Sequence, residues 1–197
     1  MKTHLFLPAV VLLSGALQAA VFDYYADLNG PSESPPVASL GTGSASISYD
    51  DIAHTLEIKV DFSGLTGLTT VSHIHAPTAT AGAGTVGVAV TPGTLPGFPA
   101  GVTAGSYLGI IDLTIEGSYT AAFLNNFGGG TAAGAEAALA AAMADGRAYF
   151  NIHTTIAPGG EIRGFLAVPV PEPAAASVFA LGLLGIVATY RSRSPAH

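Results

Sequence analysis

"TLEIKVDF", residues 55–62, alternates apolar and polar side chains without a break. In an extended strand, successive residues point to opposite faces. Leu56, Ile58, Val60 and Phe62 therefore belong to one face, and Thr55, Glu57, Lys59 and Asp61 to the other. No helical period accounts for this order, so the stretch is a strand covered on one side. Just upstream, "SASISYD" (44–50) alternates as well, with Ala45, Ile47 and Tyr49 on one face. The residues from Asp50 to His54 are short enough to join the two strands as an antiparallel hairpin.

Working outward from this hairpin, further strand-like runs fall at 21–28, 85–90, 108–115, 148–154 and 161–168. Gly- and Pro-rich loops separate them, the longest at 91–105. Many short strands with such punctuation predict a mainly β domain, an antiparallel sandwich or barrel. One segment departs from this pattern. "TAAGAEAALAAAMADG" (131–146) is rich in the best helix former, with Thr131 placed to cap it and Gly146 to end it. It predicts one short Ala-rich helix that Leu139 and Met143, four residues apart, pin to the sheet.

The 197-residue chain has no cysteine, so its core is not a disulfide scaffold. Between residues 20 and 168, twelve acidic residues face only Lys59, Arg147 and Arg163, a net charge of −9. A surface of that sign excludes nucleic acid as a partner.

The ends read differently from the middle. Lys2, an apolar run from Leu5 to Leu17 and small residues at Ala19 and Ala20 form the pattern of a secretory signal peptide, placed at 1–19. At the other end stand Pro171-Glu172-Pro173, an apolar stretch at 174–190, and a basic end with Arg191 and Arg193. Seventeen helical residues reach about 25 Å, enough for a membrane span whose arginines stay on the cytoplasmic side. The domain between, 20–168, would then lie outside. In that order the three parts resemble the PEP-CTERM sorting signal of Gram-negative bacteria. The resemblance implies recognition of Pro-Glu-Pro by an exosortase, transient anchoring in the inner membrane, and delivery to the cell surface or exopolysaccharide matrix.

Chemistry-bearing residues are few. "GAGTVG" (82–87) fits a dinucleotide fingerprint in letters only, because a strand-like run follows it rather than the helix that binds a pyrophosphate. No nucleophile elbow, phosphate loop or HExxH occurs. What remains are three histidines. His73 and His75 flank Ile74, so both point away from the core, about 6.6 Å apart along the strand. In "RAYFNIHT" the same alternation turns Tyr149, Asn151 and His153 outward and Ala148, Phe150 and Ile152 inward. Were the two strands neighbours, three imidazoles would share one outer face.

Two readings of that face stand side by side. The rings can fasten the protein by hydrogen-bonding loop backbone, with Glu161 or Arg163 as further partners. They can instead hold an ion such as copper or zinc. A metal role brings the rings within about 5 Å of each other. A fastening role gives each ring nitrogen a backbone or Glu161 partner. His54, in the hairpin connection, reads as a surface residue. Tyr24, Tyr25 and Phe98 are candidates for an exposed patch, or else for core packing.

Longer pieces of the chain resemble the CHRD domain, named from chordin, from about Phe22 to Leu166. The most specific are Glu33 with Pro35-Pro36, His73-Ile74-His75, Asn151-Ile152-His153-Thr154 and Gly160-Glu161-Ile162-Arg163-Gly164. The resemblance implies an immunoglobulin-like barrel distantly similar to copper–zinc superoxide dismutase, with His73 and His75 where those enzymes hold paired copper ligands. Their dinuclear centre needs more imidazoles and a zinc carboxylate, so dismutase activity does not follow. The expectation is a secreted, non-enzymatic module with a binding or structural role among exopolysaccharide or surface proteins. The alternative is a copper- or zinc-binding or redox protein built on His73, His75 and His153.

Overall fold

A computed structural model describes residues 20–168. The expected signal peptide and the sorting segment, with its span and its Pro-Glu-Pro and arginine residues, lie outside the described residues. Among the described residues no helix is long and apolar enough to cross a membrane.

Eight antiparallel strands form one curled sheet in the order β5-β4-β7-β8-β1-β2-β3-β6. They are β1 (Val21–Asn29), β2 (Thr42–Asp50), β3 (Thr55–Ser63), β4 (Thr69–His75), β5 (Val88–Val90), β6 (Gly105–Asp112), β7 (Tyr149–Thr154) and β8 (Ile162–Phe165). The mainly β, antiparallel class follows from the alternation read in the sequence. The β2–β3 hairpin pairs Asp50 with Thr55, and Leu56, Ile58, Val60 and Phe62 are all buried.

The sheet is two four-stranded halves with a narrow joint. Between β8 and β1 only Asn29 pairs with Arg163, helped by a bridge from Tyr25 to Ala167. Inward residues of both halves, among them Ile58, Val60, Ile74, Phe150 and Ile152, enter a single core. At the joint the backbones approach closely: a side chain at Gly164 would run into the carbonyl of Asp27. Only glycine fits there.

Two expectations need correction. There are two helices, not one: α1 (Ala121–Phe127) precedes the expected Ala-rich helix, α2 (Ala132–Ala144). Seven residues are too few to show an apolar stripe, and what holds α1 is the Thr120 cap on the Phe123 N–H and the burial of Phe123. The last long strand starts and ends three residues earlier than 108–115. Its inward positions are Tyr107 and Ile111, leaving Leu108 and Ile110 exposed on the outer face. Tyr24 and Phe98 are core residues, and of the three proposed patch aromatics only Tyr25 is exposed.

Helix α2 is capped by Thr131 on the Gly134 N–H, ends before Gly146 (φ 64°), and buries Leu139 and Met143 as expected. It also buries Glu136. That carboxylate accepts from Tyr49 Oη at 2.8 Å and contacts His54 Nδ1 at 2.9 Å, which ties α2 to the β2–β3 hairpin. His54 is half exposed, but it is a tether rather than a free surface group.

A candidate three-histidine metal centre

Strands β4 and β7 are neighbours, paired antiparallel, with His73 opposite Asn151 and His75 opposite Tyr149. The pleat sends His73, His75, Tyr149, Asn151 and His153 to the same side, away from Ile74, Phe150 and Ile152. That side is not open to solvent, however. Every residue of β7 is buried, and the three histidines are only 7–8 % exposed. The loops between β4 and β6, and between β7 and β8, roof this face.

The roof acts through its backbone. The carbonyl of Gly93 contacts His73 Nε2 at 2.8 Å, that of Val86 contacts His75 Nδ1 at 2.8 Å, and that of Pro158 contacts His153 Nδ1 at 2.9 Å. A carbonyl can only accept, so each of these nitrogens carries the proton. The other nitrogen of each neutral ring is then a bare lone pair. Those atoms are Nδ1 of His73 and Nε2 of His75 and His153. All three are buried without a hydrogen-bond partner, and the three rings can each bring one nitrogen within 4.8 Å of the others. Ring centroids are 5.2 Å apart for His73–His153, 5.7 Å for His73–His75 and 5.9 Å for His75–His153.

Burial pushes the pKa of all three rings down, and that of His75 to about 4. At neutral pH they are uncharged. Three converging, neutral, proton-free nitrogens are what a cation needs from imidazole.

The remaining motif residues frame this cluster. Tyr149 stacks on His75 at 4.7 Å and 4°, and its hydroxyl donates to Val86 O at 3.2 Å. The Arg163 guanidinium lies 4.8 Å over the Tyr149 ring. It donates from Nη1 to Gly84 O at 3.1 Å and from Nε to Ser32 O at 2.5 Å, so it binds the Gly-rich roof and the β1–β2 loop to β8. Glu33, buried 3.7 Å from Arg163 Nε, has its carboxyl pushed up to about 7 by burial, against the pull of Arg163. Glu33 Oε1 and Asn151 Oδ1 are buried without partners. Both stand where a Cβ on Gly160 would lie, which together with its φ of +126° excludes a larger residue there.

Glu161 does not touch the rings. It accepts from Ser39 Oγ (2.6 Å), Thr66 N (2.5 Å), Gly67 N (3.0 Å) and Thr154 Oγ1 (2.6 Å). It thus fixes the end of β7 beside His153, but through Thr154. Pro35 and Pro36 are exposed in the loop after β1. Sequence reasoning found the three rings and their shared face. It missed the carbonyls of Val86, Gly93 and Pro158, whose only signal was a Gly/Pro-rich loop following each histidine strand.

A family model described as CHRD domain matches residues 24–166. No curated protein and no solved structure matches the chain.

Proposed function

The chain belongs to the CHRD domain family, and on that premise we propose that it is an extracellular, non-enzymatic module that carries a mononuclear metal centre on His73, His75 and His153. One observation supports this above all: the loop carbonyls leave one buried nitrogen bare on each of three rings whose ligand atoms lie within 4.8 Å of one another. Fastening explains one nitrogen of each ring and leaves the other without a partner. A buried polar atom in that state costs about 1–3 kcal/mol. Three together are a large penalty for a structural device, and one ion removes all three. The backbone carbonyls then act as the outer partners that fix tautomer and ring orientation.

Imidazole donors suit copper and zinc. With nitrogens about 2.0 Å from one ion, trigonal geometry sets them about 3.5 Å apart, so the rings draw together by about an ångström on binding. The N-terminal pattern at 1–19 and the Pro-Glu-Pro tail support export and exosortase processing, with the outer envelope or exopolysaccharide matrix of a Gram-negative bacterium as destination. Exopolysaccharide and other surface proteins are its surroundings there.

The test is metal binding as a function of pH, read by equilibrium dialysis against copper or zinc. One ion binds per chain. Because burial already holds the ring pKa values down, affinity changes by less than about tenfold between about pH 7.5 and 6. Three imidazoles of ordinary pKa would lose roughly fiftyfold to protons over that interval. Binding then collapses as the pH falls toward 4, where His75 takes up its proton. A loss centred near pH 6.5 would show solvent-exposed ligands and contradict this site.

A further inference from the structure

We propose that the ion this centre is built for is monovalent copper rather than a divalent cation. The inference rests on the metal-centre reading above and adds the charge and coordination the site accepts.

The donor set is three neutral imidazoles. Among the described residues no carboxylate joins the cluster. The charged side chain packed on this shell is Arg163. Its guanidinium reaches the site through Tyr149, which it covers at 4.8 Å and which stacks on His75 at 4.7 Å. Its counter-ion is Glu33, at 3.7 Å from its Nε.

A bound ion would therefore keep nearly its whole charge in a buried place with no anionic ligand. The cost of taking an ion out of water grows with the square of its charge, so a divalent ion pays about four times the penalty of a monovalent one in the same cavity. Structural zinc sites commonly offset this with thiolates, and catalytic ones, three-imidazole sites included, with a bound water or hydroxide in the fourth position. Here three ligands converge under a roof of backbone, and no described acidic group completes the set. Copper(I) has one positive charge and no need of a fourth ligand. Imidazole is among copper's ordinary donors.

The experiment compares Cu(I), held reduced without oxygen and competed against a chromophoric Cu(I) chelator, with Zn(II) competed against a zinc indicator, both on the purified protein. The expected result is one Cu(I) per chain, bound at least about a thousandfold more tightly than Zn(II). Its X-ray absorption edge should be that of three-coordinate monovalent copper. Zinc binding as tight as Cu(I), or copper with a fourth oxygen ligand, overturns the monovalent assignment and leaves the metal centre standing. Failure of both ions to bind overturns the assignment together with the metal-centre reading.

Discussion

Alanine at position 75 lowers metal affinity at least about a hundredfold while leaving the metal-free protein folded and within about 2 kcal/mol of its parent. The two halves of this result have separate causes. Without His75 Nε2 only His73 and His153 remain, and a centre that loses one of its three donors holds its ion more weakly. The metal-free fold, by contrast, loses one hydrogen bond to Val86 O, worth about 1 kcal/mol, and the stack on Tyr149. It is also relieved of a buried lone pair without a partner, which offsets part of that loss. Thermal unfolding with and without metal separates the two. At metal a thousandfold above its Kd the parent gains about 4 kcal/mol, and the variant gains almost nothing. If His75 were a fastener, the variant would instead be strongly destabilised and metal would change neither protein.

The largest effect on stability comes from Glu161→Gln, with an expected loss of roughly 3–5 kcal/mol in denaturant unfolding. Burial alone would push the Glu161 carboxyl up, but the four donors outweigh it and hold it at about 2. Two of them, the N–H groups of Thr66 and Gly67, belong to the β3–β4 loop and cannot turn away. An amide in place of one oxygen puts donor against donor and leaves N–H groups unpaired, at about 1–3 kcal/mol each. The sign of the pH dependence follows from the lowered pKa. The contribution of Glu161 is fully present above the carboxylate's unfolded value near 4.5 and is lost as the pH falls through about 2. The variant and its parent should therefore converge in stability at strongly acid pH. Equal stability of the two at neutral pH would show that the carboxylate is not the clamp of this region.

The sequence revealed the β2–β3 hairpin almost residue by residue because each of its strands has one covered and one wet face, and the alternation states which is which. It failed at β6 for the opposite reason. In "SYLGIID" the apolar residues do not alternate, so Leu108 and Ile110 look as inward as Tyr107 and Ile111. Helix α1 was invisible because its seven residues depend on tertiary burial of Phe123 and a single threonine cap. The histidines were legible as a pair two residues apart and a third on another strand, since period two places them on one face. Their burial was not legible. It comes from loops whose backbone, not side chains, closes over the rings, and backbone carbonyls leave no mark in a sequence. The clamp was half legible: Glu161 and Arg163 stood out by position, but their partners Ser39, Thr66, Gly84 and Ser32 come from distant loops with no pattern of their own.

The central claim is that three particular ring nitrogens are bare and take up an ion. Long-range nitrogen–proton NMR of the histidine-labelled protein, recorded before and after adding Zn(II) or Cu(I), reads those atoms individually. The account predicts His73 protonated at Nε2, and His75 and His153 at Nδ1, in the metal-free state. On adding metal, the bare nitrogens, Nδ1 of His73 and Nε2 of the other two, shift together at one equivalent while the proton-bearing nitrogens stay fixed to their carbonyls. Rings that exchange freely between tautomers, or signals that do not move at several equivalents of metal, would contradict it.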